Sequence, residues 1–279
     1  MTKTVVKAPD KAVWRMPAFL RVSAGVHAAA VLTAAAQPHL WPLALGAIAA
    51  NQAAIGAAVL CPTSSWLGPN IVRLPAAAAE RREIALTFDD GPNPDVTPLV
   101  LDLLDRHNAR ASFFCSGARV ERHRDLAREI VARGHRIENH SYWHRHTFAM
   151  LGLRGYEREL RRAQEAILAA TGRAPQFFRA PAGLRNPFLD PVLNRLGLRL
   201  CSWTRRGFDT ATRDPKRVAA RLLDRLTPGD IVLLHDGNCA RTVNGTAVVI
   251  EVLPRVLDAC AARGLIPVRV DQACSGSSQ

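Results

Sequence analysis

The sequence predicts an α/β protein: a parallel sheet of about seven strands curled into a barrel, preceded by an N-terminal helical hairpin. Three observations carry this. From about Arg82 onward, short apolar runs alternate with amphipathic segments, the pattern of strand–helix units around a parallel sheet. The connections between them are short. Ahead of that point stand two long apolar runs in tandem.

The front consists of Phe19 to Ala36 (FLRVSAGVHAAAVLTAAA) and Leu40 to Cys61 (LWPLALGAIAANQAAIGAAVLC), separated by QPH with Pro38. Each run is close to the roughly 20 residues that cross a bilayer. The first is too long, too polar at Arg21 and His27, and too soon followed by a second run to read as a simple signal peptide. A soluble helical pair is the competing reading, because alanine-rich helices with Asn51 and Gln52 mid-span are only weakly hydrophobic. Lys3, Lys7, Lys11 and Arg15 precede the hairpin, Arg73, Arg81 and Arg82 follow it, and the connection has no lysine or arginine. The positive-inside tendency then puts both ends, and the body, in the cytoplasm of a bacterial-type inner membrane. If one run alone spans, the body lies outside.

In order along the body, EIALTF (Glu83 to Phe88) is a strand and Val96 to His107 a helix. ASFFCSG is the next strand, followed by a helix from Ala118 to Arg133 that Gly134 stops. RIENH is the third, followed by the helix YERELRRAQEAILAATG with its terminal Gly172. QFFRA leads to a helix ending at Asn194, and LRLCSW to one ending at Leu226. DIVLLHDG leads to Val248–Arg263, and IPVRV closes the set. The expected division is residues 1–80 for hairpin and linker, 81–271 for the body and 272–279 for a loose tail.

Composition narrows the partners little. The net charge of +13 is spread along the chain and permits anionic partners without choosing one. Arg154, Arg158, Arg161, Arg162 and Arg173 gather around one helix with no interleaved row of stacking aromatics, so no nucleic-acid platform is expected. The six cysteines form no CxxC pair and read as dispersed thiols in a reducing compartment.

Active sites in such folds gather at the carboxyl ends of the strands, and the polar residues here follow that rule. Asp89 and Asp90 close the first strand, where one carboxylate can ligate a cation while the other faces a water; a helix cap or turn would use the same residues. Three histidines crowd ENHSYWHRH. On a helical turn of about 100° per residue, His140 and His144 share a face and His146 points away. Arg179 ends the QFF strand, where its guanidinium can orient and ionise a carboxylate. Asp209 follows LRLCSW, and His235 and Asp236 follow DIVLL, offering an imidazole held by a carboxylate to donate a proton.

TFDDGP (Thr87 to Pro92), HSYWH (His140 to His144), RAPAG (Arg179 to Gly183), SWTRRGFD (Ser202 to Asp209) and LLH (Leu233 to His235) resemble the five ordered motifs of the polysaccharide deacetylases. This family is also called the NodB-homology domain or carbohydrate esterase family four. The resemblance spans roughly Arg82 to Val270. It implies a distorted (β/α) barrel and metal-dependent removal of N-acetyl groups from the amino sugars of a polysaccharide, oligosaccharide or glycolipid. By motif position Asp90, His140 and His144 hold a divalent metal, zinc first, with cobalt or nickel as alternatives. Asp89 is the general base oriented by Arg179, and His235 the general acid tuned by Asp209. Pro181, Ala182 and Gly183, with Arg205 and Arg206, line the sugar site.

Two positions depart from the family pattern. Ala182 stands where an aromatic is usual. In the fourth motif, Arg206 replaces an acidic residue and Thr210 a tryptophan, which makes that wall basic. Together with the hairpin, this suggests a lipid-linked or membrane-proximal amino sugar whose phosphate or acidic groups meet Arg185, Arg205 or Arg206. Against the deacetylase stand a deacylase or deformylase of a lipid-linked amino sugar, and a non-catalytic basic protein that binds glycan or nucleic acid. A degenerate binding module would be expected to lack a ligand or the base, and none is missing.

Overall fold

The computed structural model describes residues 13–275; Lys3, Lys7, Lys11 and the tail from 276 onward lie outside the described residues. Two helices, α1 (Ala18–Ala36) and α2 (Trp41–Leu60), form the hairpin, and α3 (Ala76–Glu80) leads into the body. The body runs β1 (Glu83–Asp89), α4 (Thr97–Arg106), β2 (Ser112–Cys115), α5 (Gly117–Arg122), α6 (Arg124–Ala132), β3 (Arg136–Asn139), α7 (Leu153–Thr171) and β4 (Phe177–Phe178). It continues through α8 (Leu189–Leu196), β5 (Arg199–Leu200), β6 (Arg205–Arg206), α9 (Pro215–Leu223), β7 (Ile231–His235), α10 (Val248–Ala262), β8 (Ile266–Val268) and α11 (Val270–Ser275).

Every strand pairing is parallel, in the order β5-β4-β3-β2-β1-β7-β6, with β8 beside the first half of β1. The result is a curled, incomplete barrel. β1 is buried along its whole length, as expected of a strand covered on both faces. Its side chains alternate: Ile84, Leu86 and Phe88 join the core under the helices, while Ala85 packs in the barrel interior with Phe114, Phe177, Ile231 and Leu233. With a side-chain period of two, Asp89 shares the interior face with Ala85, His235 with Ile231 and Leu233, and Arg179 with Phe177. That parity aims three charged groups inward at the strand ends.

Four details differ from the sequence reading. The helix expected over Ala118–Arg133 is two helices, broken at His123, whose φ of −123° and ψ of 53° are not helical. The Arg205–Arg206 pair forms a short strand, which hydrophobicity could not signal because backbone pairing with Val232 and Leu233 defines it. Residues 272–275, expected in the loose tail, belong to α11, anchored by the buried Val270, Ala273 and Cys274. Residues 61–80 are no free linker: Leu67, Leu74 and Ala78 are buried, and Ile71 bridges Cys201 at the end of β5. The cysteines are all free, and four of the six are buried.

Candidate active site

Parallel register sets the site. Asp89 pairs with His235 across β1 and β7 and with Phe114 across β1 and β2. Asn139 pairs with Phe178 across β3 and β4, so His140 and Arg179 leave their strands at one level. Asp89, Asp90, His140, His144, Arg206 and His235 then line one cavity of about 200 Å³, with Ala182, Gly183, Trp203, Thr210 and Asn238 in its wall.

Arg179 is 1% exposed and fully engaged. Its Nη1 donates to Asp89 Oδ1 at 2.6 Å and to Thr87 Oγ1 at 2.9 Å. Nε and Nη2 donate to the carbonyls of Cys201 (3.1 Å) and Ser202 (2.9 Å), and the guanidinium lies 4.0 Å from the Phe114 ring centroid. A buried cation held this way is tolerable because its partners are all present. It fixes one oxygen of Asp89, and Oδ2 lies 3.9 Å from His140 Nε2.

Asp90, His140 and His144 come together, with ligand atoms within 4.8 Å of one another. Asp90 adopts φ +72°, which turns its side chain away from the strand. Its Oδ1 lies 3.2 Å from His140 Nε2 and 2.9 Å from His144 Nε2. His140 Nδ1 is 2.8 Å from the Arg179 carbonyl, which only accepts. That nitrogen therefore carries the proton, and a neutral His140 presents a lone pair at Nε2. Asp90 Oδ1 is buried and has no partner of hydrogen-bond geometry. A carboxylate oxygen and two imidazole nitrogens thus converge on one point, and an N₂O set suits a divalent ion. Burial would raise the Asp90 carboxyl, but the two imidazoles outweigh it and hold it well below the usual carboxylate range.

The pair of histidines reaches Asp90 by a route the sequence reading did not foresee. Residues 140–144 form no helical turn; they are a loop in which Ser141 (φ 61°) and His144 (φ 52°) take left-handed conformations. The Glu159 carboxylate accepts from the Tyr142 and Trp143 amides, and Ser141 Oγ from the His144 amide. His146 is exposed at the cavity rim and outside the converging group.

His235 Nδ1 donates to Asp209 Oδ1 at 2.8 Å, and its backbone amide donates to Asp209 Oδ2 at 2.7 Å. Nε2 is left for the cavity. Burial would lower this imidazole, but the Asp209 hydrogen bond and charge, with Asp89 and Asp90 adding, raise it to about 9. Asp236 is not its partner: that carboxylate turns to α4, where Thr97 Oγ1 donates at 2.5 Å, and burial raises it to about 7.

Of the residues expected at the sugar site, Ala182, Gly183 and Arg206 line the cavity. Pro181 is buried in the turn beneath them. Arg205 is turned away, with Nε on Asp230 at 3.0 Å and Nη2 on the Arg225 carbonyl. Arg185 is buried and donates to the Ser64 carbonyl, and burial lowers it to about 10. Neither arginine is presented to a ligand. Asn238 went unmarked in the sequence, yet its Nδ2 donates to Asp90 Oδ2 at 3.0 Å; extending the strand-end rule three residues past His235 would have found it. Trp203, in the wall, stood inside a quoted motif without being singled out.

Comparison with known proteins gives the same framework. A family profile described as polysaccharide deacetylase matches residues 76–201. A chitooligosaccharide deacetylase of Azorhizobium caulinodans is 36% identical over 155 residues, covering 55% of this chain and 73% of that protein. The chain belongs to the polysaccharide deacetylase family. A family 4 carbohydrate esterase from Streptomyces lividans, solved with acetate, aligns with TM-score 0.60 at 31% identity, covering 66% of this chain and 91% of that one. The peptidoglycan-N-acetylglucosamine deacetylase of Listeria monocytogenes is 35% identical over 170 residues, 60% of this chain. The chain spans 36% of that protein's length. The profile match stops short of Asp209 and His235, so for those two residues the local geometry carries the argument.

Proposed function

We propose that this chain is a metal-dependent hydrolase that removes N-acetyl groups from amino sugars of a glycan, with its hairpin seated in a membrane. One observation carries the catalytic reading: Asp89 and His235, side by side in strand register, flank the converging Asp90, His140 and His144. In this reading those three residues hold the metal. A divalent ion there, zinc first and cobalt or nickel as alternatives, supplies a Lewis acid for the acetamide carbonyl and lowers the pKa of a water.

The chain's own residues do the rest. Arg179 holds Asp89 fixed through Oδ1, so its free Oδ2 accepts a proton from the attacking water. The water oxygen bonds to the carbonyl carbon. His235, protonated and held by Asp209, gives its Nε2 proton to the sugar nitrogen as the C–N bond breaks. The free amine leaves with acetic acid, which loses its remaining proton to the amine or solvent to give acetate. The proton on Asp89 passes to His235 by way of solvent to restore the starting state. Ala182, Gly183 and Arg206 would meet the sugar, with Arg206 suited to an acidic group. The body in this reading runs from about residue 80 through α11 (Val270–Ser275).

The hairpin favours a membrane because its polarity is inverted. Asn51 Nδ2 donates to Ser23 Oγ at 2.8 Å and lies 3.0 Å from His27 Nδ1, and Gln52 Nε2 lies 3.2 Å from His27 Nε2. The polar groups satisfy each other between the helices, while Val31, Leu32, Trp41, Leu43 and Leu45 face outward. That arrangement suits lipid and not water. Flanking arginines argue for both ends in the cytoplasm. The test is acetate release from chitooligosaccharides by the full chain. Release should stop with chelator and return with zinc or cobalt; release that ignores chelator would refute the metal-dependent reading.

A further inference from the structure

The hairpin and the cavity share a wall. The segment that leaves α2 docks against the residues that line the site. The Pro62 carbonyl accepts from Ser202 Oγ at 2.7 Å and from Asn70 Nδ2 at 3.0 Å. Gly183 sits between Pro62 and Trp203: a Cβ on it would come within 2.5 Å of Pro62 Cβ and 2.7 Å of Trp203 Cη2. Both Gly183 and Trp203 line the cavity. The turn they brace is conformationally demanding, with Ala182 at φ 55° and Gly183 at φ 76°. Just beyond, the Ser64 carbonyl accepts from the buried Arg185 and from Asn70.

The other end of the hairpin is tied to the same face. Trp14, ahead of α1, donates its indole N–H to Asp190 Oδ2 at 2.7 Å, and Phe19 packs on Trp66 with centroids 4.9 Å apart. No aspartate, glutamate, lysine or arginine occurs between Arg21 and Cys61. At about 1.5 Å per residue the 20 residues of α2 span about 30 Å, the thickness of a bilayer core. Trp14, Arg15 and Trp66 then fall at one interface, where such side chains anchor. Pro62 is two residues past Leu60, so at most about 7 Å of chain separates the helix end from the cavity wall.

We propose that the deacetylation cavity is held at the bilayer surface by this shared wall, and that its substrate is an N-acetylated amino sugar tethered to the membrane by its own lipid. The inference rests on the deacetylase reading for its chemistry, and on the 61–71 segment for its geometry. A mobile tether would let the catalytic domain reach glycans well away from the membrane. A wall built from the helix exit does not.

The experiment uses the full zinc-loaded chain in phosphatidylethanolamine–phosphatidylglycerol vesicles. The substrates are N-acetylglucosamine joined to diacylglycerol through short and long linkers, and soluble chitotetraose. The expected result is acetate release from the short-linker lipid equal to or above that from the long-linker lipid, and at least tenfold above that from the same lipid in separate vesicles. A rate that climbs with linker length would overturn the proposal. In parallel, a donor fluorophore on Ala182→Cys in a Cys61→Ser background reports energy transfer to headgroup-labelled lipid, independent of turnover. Strong transfer supports the placement, and transfer at the level of a soluble control defeats it. Strong transfer with no acetate from any substrate, chitotetraose included, would overturn the deacetylase reading and keep the placement.

Discussion

The hairpin and the barrel rim distribute polar and apolar side chains in opposite ways. In the barrel, apolar side chains are buried and the polar groups that must be inside, Arg179, Asp89, Asp209 and His235, are each satisfied by named partners. In the hairpin, the polar groups Ser23, His27, Asn51 and Gln52 turn inward on each other and the apolar side chains face out. In both regions these polar groups pair with one another, because an unpaired one away from water costs several kcal/mol. Asp90 Oδ1 is one of several buried atoms without a hydrogen bond, and the one that faces two imidazole nitrogens across the cavity.

The largest break of this comparison is at the base. Asp89→Asn should lower kcat by about 10²- to 10⁴-fold while zinc still binds, read by acetate release beside metal analysis. Arg179→Met comes next. It strips the partner from a buried carboxylate, and losses of that kind run to about 3–5 kcal/mol; urea denaturation measures it, and an unchanged midpoint would contradict the role given to Arg179.

The pH dependence sharpens the pair on the other strand. His235 is raised to about 9 by Asp209, so its acid form is present below that pH and is lost above it. With the divalent ion bound, activity should fall as pH rises through a value below about 9, and Asp209→Asn should move that limb further down toward the ordinary histidine value. The stability this pair contributes follows the same sign: fully present below the unfolded histidine pKa and lost as pH rises through about 9. A bound divalent ion beside Asp89 and Asp90 offsets part of their charge, so chelation should move the folded titration upward, measured by NMR of the imidazole. The smallest effect is in the hairpin. Asn51→Leu should cost about 0.6–2 kcal/mol of hairpin stability, seen by unfolding in detergent, with turnover of soluble substrate unchanged.

Much of this was legible in the sequence for a simple reason. Strands buried on both faces are apolar throughout, so EIALTF and DIVLL announce themselves, and the residue just past each run sits on the rim. The pairing of His140 with His144 was found on a mistaken premise. Helical spacing pointed at the right residues, but the loop uses left-handed Ser141 and His144, a conformation that non-glycine residues seldom adopt and pattern does not signal. Strand β6 stayed hidden because two arginines carry no hydrophobic signal. Arg205 and Arg185 looked like ligand-binding groups, yet ion pairing to Asp230 and docking on Ser64 occupy them. Charge is visible in sequence; the partner that neutralises it is a product of the fold.

The most direct test of the central claim is a zinc titration followed by acetate release, on the wild-type chain, Asp89→Asn and His140→Ala. The account expects one zinc bound by wild type and by Asp89→Asn, with acetate from wild type alone, and neither zinc nor acetate with His140→Ala. Full acetate release by His140→Ala without zinc would contradict it.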